Sequence, residues 1–216
     1  MALKALFYPD VPFDSLFIPY IYKEIYLEGI YIDIFNTRKD LVVVDVGANI
    51  GCVTQYMRDH AKVVYAIEPS TEHYEALKKN VEFNEWTNVV PINAAIADKD
   101  GEMTLKLNPY NRTCHHLEWD GVSKDTLPGE TVKTISFETL IKEHNIEKID
   151  FVKFDVEGAE ELILMGESFG KVADKIMAIE VEFHFPSFPK IVEHMLKLGY
   201  KARRYDSSAV VILFSR

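Results

Sequence analysis

The stretch FVKFDVEGAE, residues 151–160, sets Asp155, Glu157 and Glu160 where an apolar run ends, with Lys153 inside that run. The β-branched and aromatic residues of FVKF mark it as a strand. Side chains at i and i+2 of a strand share a face, so Lys153, Asp155 and, past the strand end, Glu157 line up. In this arrangement Asp155 is expected to orient a ligand and Glu157 to take a proton from a reacting group. Lys153 is expected to neutralise them, because buried charges need partners. The structural alternative is a lysine–carboxylate network that only fixes the strand end. His184, in EVEFHF, ends another strand, and its ordinary titration range makes it a second candidate base. A histidine packed between two phenylalanines is the bland reading. Glu180 and Glu182 share its face by alternation.

A second stretch, VVVDVGANIG (42–51), runs a strand into Asp45 and then turns through Gly47, Ala48, Asn49 and Gly51 into a helix. Glycines let a backbone approach a ligand closely, and a helix start presents free N–H groups. The next strand ends in AIEPS, which sets Glu68 and Pro69 beside that turn. An acid there accepts hydrogen bonds from an unphosphorylated ribose. The dinucleotide fingerprint G-x-G-x-x-G is not met, since asparagine stands where its middle glycine belongs. Asp45, pointing into the turn, would repel a pyrophosphate but suits a cation or a ligand with a free ammonium. S-adenosylmethionine carries an ammonium and a sulfonium and fits better than NAD. Asn93, Ala94 and Ala95 read as the end of a third strand, where an adenine ring would lie. Asn93 would bond the ring and Ala95 would leave it room.

The elements that must position these residues alternate from about residue 41. LVVVDVG, KVVYAIEP, NVVPINAAIA, FVKFDV and KIMAIEVEFHF read as strands. Helical segments separate most of them: one from Gly51, one capped by Ser70 or Thr71 with Tyr74, Leu77 and Val81 on a face, one capped by Ser136, and one over AEELILMG. A last helix, PSFPKIVEHMLKLGY, carries Ile191, Val192, Met195 and Leu196 on one face and ends at Gly199. KARRY and AVVILFS then close the sheet as antiparallel edge strands. Strands alternating with helices imply a parallel sheet covered on both faces, with ligands at the carboxyl ends of the strands. EMTLKL and TVKTIS break the alternation and flank a long polar loop, residues 108–130, which reads as a lid or as a mobile surface loop and holds His115 and His116. His60, His73, His144 and His194 are assigned no role.

Composition bounds the rest. A formal net charge of −10 disfavours nucleic acid, and KARR (201–204), the compact basic cluster, reads as a solvated face. No apolar run reaches membrane-spanning length, and the N-terminus is a poor secretory signal, so a soluble, cytoplasmic protein without stable membrane insertion is expected. Cys52 and Cys114 fit neither a metal motif nor a disulfide framework. Residues 1–40 form a separate aromatic-rich segment ahead of the domain at 41–216. Its nine aromatics suit a cap over the substrate, a homodimer surface, or a helix packed on the sheet.

Taken in order, VVVDVGANIG, AIEPS, NAAIADKDGEMTL and SFETLIKEHNIEKIDFVKFDVEGAEELILMG resemble the FkbM family of S-adenosylmethionine-dependent methyltransferases over about residues 38–185. The resemblance implies a Rossmann-like, seven-stranded methyltransferase sheet, mostly parallel with an antiparallel C-terminal edge. It also implies O-methylation of a hydroxyl on a small molecule or glycan. Asp45, Gly47, Asn49 and Gly51 match the family's cofactor loop and Glu68 its ribose acid. Lys153, Asp155, Glu157, Gly158 and Glu160 match its second signature. Residues 1–40 and the loop match no family pattern and are expected to set substrate choice. The ligand types of Asp155, Glu157 and His184 would permit a metal, but methyl transfer does not require one and none is assigned. The competing readings are a nucleic-acid methyltransferase on the same fold, a non-catalytic S-adenosylmethionine-binding protein, and a nicotinamide oxidoreductase.

Overall fold

A computed structural model describes residues 40–110, 114–119, 126–184, 188–204 and 210–216. The aromatic segment before residue 40 and parts of the 108–130 loop lie outside the described residues. The chain runs β1 (Leu41–Val46), α1 (Cys52–Arg58), β2 (Ala61–Ile67), α2 (Thr71–Phe83), β3 (Val89–Ile92), β4 (Ala95–Ile96), β5 (Gly101–Lys106), β6 (His116–Leu117) and β7 (Gly129–Ile135). It continues through α3 (Phe137–Glu143), β8 (Phe151–Phe154), α4 (Glu160–Leu164), α5 (Glu167–Val172), β9 (Ala178–Phe183), α6 (Phe188–Lys197), β10 (Lys201–Arg204) and β11 (Val210–Ser215).

The main sheet has seven strands in the order β10-β11-β9-β8-β1-β2-β3. β3, β2, β1, β8 and β9 are mutually parallel, and β11 is antiparallel to both β9 and β10. The C-terminal side is therefore antiparallel, as the resemblance implied. The last strand in the chain lies second from the edge, and KARR forms the edge itself, fully exposed. At the opposite edge β3 holds Pro91, which an edge strand tolerates because its missing N–H is not needed.

Burial alternates along β1. Leu41 and Val43 join a cluster with Met57 of α1 and Leu77 of α2, while Val44 and Val46 join a cluster with Phe137, Ile163, Phe169 and Met195. Helices thus cover both faces. Asp45 shares the parity of Leu41 and Val43 and so lies on the α1 face.

Two expectations are corrected here, at Ala95 and at Leu196. β3 ends at Ile92, and Ala95 opens β4 in a separate four-stranded sheet, β4-β7-β5-β6, where it pairs with Thr134. In α2, Leu77 is wholly buried and half-buried Val81 packs on the same cluster, while His73, Ala76 and Asn80 complete the buried face. In α6, Ile191 and Met195 are wholly buried and Val192 is half-buried, but Leu196 is 50% exposed. At about 100° per residue, Leu196 stands far round from the Ile191–Met195 stripe.

After α6 the chain turns at Gly199, whose φ of 90° suits a helix stop. It then plants Tyr200 under α5, with its hydroxyl 2.7 Å from Ala173 O and 2.9 Å from Ile176 O. Replacing Tyr200 by phenylalanine removes both bonds; Ala173 O still accepts from Ile176 N–H, but Ile176 O loses this donor, and the change should cost about 1–3 kcal/mol in denaturant unfolding. Among the described residues, no helix is long and apolar enough to cross a membrane.

Candidate functional site

The carboxyl ends of β1 and β8 meet at Gly47. Asp155 N donates to Val46 O, and a side chain at Gly47 would collide with the Asp155 carbonyl oxygen. Gly47 also has a φ of 76°, so only glycine fits both the turn and the close approach. The turn is stitched to itself and to β2. Gly47 and Ala48 N–H groups donate to Ile67 O, Gly51 N–H donates to Ala48 O, and Ile50 N–H donates to Asn49 Oδ1. Asn49 N–H donates to Glu68 Oε2 at 2.8 Å. Every amide from Gly47 to Gly51 is therefore used within the chain.

Glu68 is buried at the end of β2, and its second oxygen accepts from Ser70 N–H at 2.9 Å. Burial dominates and pushes its carboxyl from 4.5 up to about 7, against the pull of those two amides. Between these values the folded state holds the extra proton, so Glu68 makes stability fall as pH rises from about 4.5 to about 7. Glu68→Gln should remove that part of the slope in melts across this range. Asn93 donates its amide to Glu68 O and Pro69 O, so it fixes the backbone of this acid. Ala95 is part of the core.

Asp45 takes a different place from the one expected. It is wholly buried, accepts from Thr54 Oγ1 at 2.5 Å, and lies 3.7 Å from Lys153 Nζ. The parallel register sets Asp45, Lys153 and Glu180 side by side across β1, β8 and β9. The ammonium that faces Asp45 is thus that of Lys153. Burial raises the Asp45 pKa, and the Lys153 charge opposes that rise. Lys153 Nζ also donates to Gly47 O at 3.0 Å and to Asp155 Oδ2 at 3.2 Å. Burial disfavours its charge, but Asp155 and Asp45 outweigh it and hold Lys153 above the ordinary lysine range. Lys153 therefore neutralises Asp45 and Asp155, whereas Glu157 faces His184.

Asp155, Glu157 and His184 converge, with one ligating atom of each within 4.8 Å of the others. Glu157 has a φ of 50°, a left-handed conformation uncommon outside glycine, and it aims its carboxylate at the end of β9. His184 Nε2 lies 3.4 Å from Glu157 Oε2, 3.8 Å from Asp155 Oδ1 and 3.9 Å from Glu182 Oε1. Its Nδ1 lies 2.8 Å from Glu160 Oε1, which also accepts from Gly158 N–H. Burial lowers the imidazole pKa, but the Glu160 bond and the Glu157 and Asp155 charges outweigh it, leaving the value at about 9. Free His184 is therefore charged at neutral pH, contrary to the expectation of a neutral base. Glu157 is pushed up to about 7, first by burial and then by Asp155.

Residues assigned little role by sequence close the site. Cys114 hydrogen-bonds Glu157, and Trp119 Nε1 donates to Gly158 O. His115 stacks on His73 with ring centroids 4.8 Å apart, and His73 Nδ1 lies 3.9 Å from Glu68 Oε1. The described part of the 108–130 loop thus spans from the Glu68 side to the Glu157 turn. His116 lies in β6, and Cys52 and Cys114 form no disulfide.

Residues 45–202 match the family described as the methyltransferase FkbM domain. The chain belongs to this family. The hexuronic acid methyltransferase AglP of Haloferax volcanii is 29% identical over 162 residues, 74% of this chain and 63% of that protein. The chain therefore spans less than two thirds of that relative. Methyltransferase sdnD of Sordaria araneosa is 30% identical over 177 residues, 68% of each. An FkbM methyltransferase structure from Methylobacillus flagellatus KT superposes with a TM-score of 0.52 at 14% identity, covering 82% of this chain and 44% of that one. An S-adenosylmethionine-dependent methyltransferase from Aquifex aeolicus gives 0.51 at 14% identity, covering 94% and 98%. At such identities the structures show a shared Rossmann-like fold. The family spans both signature turns, the one at Gly47 and the one at Glu157.

Proposed function

We propose that this FkbM-family protein transfers a methyl group from S-adenosylmethionine to a hydroxyl of a small molecule or glycan. The observation that carries the reading is the junction of two sites: the turn at Gly47 lies directly against Asp155, whose side chain joins Glu157 and His184. The residues of the turn fit the cofactor. With every amide from Gly47 to Gly51 used internally, the turn has no donors left for a pyrophosphate, which favours a ligand without phosphate. Glu68, Asn49, Gly47 and the Asn93-braced backbone at Pro69 would hold its adenosine end.

Bound S-adenosylmethionine supplies a methyl on a sulfonium; as the acceptor oxygen bonds to that carbon, the carbon–sulfur bond breaks and leaves a neutral thioether. The chain's own work is on the acceptor. The anionic edge formed by Asp155, Glu157 and Glu182 receives the hydroxyl and accepts its proton. Lys153 and Glu160 act at one remove, fixing Asp155 and His184. A hydroxyl-bearing sugar acceptor accords with the hexuronic acid named for the archaeal relative. Nucleic acid fits less well, because KARR forms an exposed edge strand separated from β8 by β11 and β9.

Methyl-labelled S-adenosylmethionine and a panel of hexoses, hexuronic acids and alcohols test the reading. Label should appear as an O-methyl group on an acceptor. Label in tRNA alone, or cofactor binding with no transfer to any acceptor, would replace this reading with the nucleic-acid or the non-catalytic one.

A further inference from the structure

The orientation of His184 is unusual for a charged surface histidine. Its Nδ1 is tied to Glu160, whose side chain is 3% exposed, and Glu160 is itself fixed by Gly158 N–H. The ring cannot turn without giving up its bond to that buried carboxylate, and Nε2 is held facing oxygens of Asp155 and Glu157. This carboxylate–histidine pair is the outer arrangement that orients an imidazole toward a metal. On the other side, Lys153 occupies Asp155 Oδ2, while Oδ1 is buried and makes no hydrogen bond.

Separations of 3.4 Å and 3.8 Å from Nε2 are long for hydrogen bonds. They suit a shared ion, since donors about 2.1 Å from one cation lie about 3 Å apart at right angles and about 4 Å apart when opposed. The Glu157 backbone, held at a φ of 50°, and the Cys114 contact keep that carboxylate in place.

We propose that Asp155 Oδ1, Glu157 Oε2 and His184 Nε2 bind a divalent cation of the Mn2+ or Mg2+ class, which in turn ligates two adjacent oxygens of the acceptor. Two carboxylates and one imidazole favour a hard to borderline ion. Three protein donors leave about half of an octahedral shell open. An acceptor with neighbouring oxygens, a vicinal diol or a hydroxyl beside a carboxylate, fills two open positions. The cation lowers the proton affinity of the bound hydroxyl. Of the three acids of the anionic edge, Glu182 is the one that is not a ligand; it lies 3.9 Å from His184 Nε2 and, with the cation bound, receives that proton. The acceptor half of the inference rests on the proposed function, while the cation half does not.

Mn2+ alone is the probe, added to the full chain after chelator treatment and followed by electron paramagnetic resonance and calorimetry. One Mn2+ per chain should bind, and His184→Ala and Asp155→Asn should abolish it. Glu160→Gln, which meets His184 at Nδ1 and no ligating atom, should weaken binding about 10–100-fold. Glu138→Gln, on a distant surface, should leave it unchanged, and melting curves confirm that each variant is folded. Absence of Mn2+ and Mg2+ binding, or binding indifferent to His184→Ala, would overturn the inference and leave an imidazolium–carboxylate network in its place. Methyl transfer that persists undiminished in chelator would overturn the cation while sparing the proposed function. Mn2+ binding at these residues without transfer to any acceptor would support the cation and defeat the function.

Discussion

Replacing Lys153 by methionine should lower the unfolding free energy by about 3–5 kcal/mol, the range for removing one partner of a buried ion pair. Lys153 has 8% of its side chain exposed and is the cation between Asp45, which is wholly buried, and Asp155. Without it, Asp45 keeps the Thr54 hydroxyl but loses its counter-charge, and Gly47 O loses its donor. Much of the loss is the penalty of an isolated buried carboxylate, so a second substitution should relieve it. Lys153→Met with Asp45→Asn should be clearly less unstable than the sum of the single changes. Guanidinium unfolding of the four proteins of this cycle checks the claim. Strict additivity would mean that Asp45 and Lys153 do not act as a pair.

The second large effect falls on turnover. Glu157→Gln and Asp155→Asn should each lower kcat by about 100-fold or more, the scale of groups that position an acceptor or take its proton. Neither side chain belongs to the stitched turn proposed to hold the cofactor end, so affinity for S-adenosylhomocysteine should change little. Cofactor affinity by calorimetry and kcat on a labelled acceptor separate the two. If either substitution kept full kcat on a true acceptor, the cluster would be structural.

The chemistry-bearing stretches were readable because local rules govern them. Gly47 and Gly51 announce a turn, Ser70 and Ser136 cap helices as their types suggest, and alternation placed His184 and Asp155 on one sheet edge. What could not be read was set by partners distant in sequence. Nothing around Asp45 says that its ammonium comes from Lys153, because that depends on the pairing of β1 with β8. Glu160 stands out in the signature stretch, but nothing in the sequence shows that it buttresses a histidine 24 residues on. His73, apparently a helix residue without a role, supports the loop through His115. The short sheet was missed at Ala95 because two residues of turn, Asn93 and Ala94, carry the chain from β3 into another layer without any strong breaker. The one usable signal there was Pro91, which marks β3 as an edge that can end early.

The most direct test of the central claim is calorimetric titration of the protein with S-adenosylmethionine, S-adenosylhomocysteine and NAD. The stitched turn at Gly47, with Glu68 beneath it, predicts one site per chain for both adenosyl compounds and none for NAD. Binding of NAD with no heat from either adenosyl compound would contradict it.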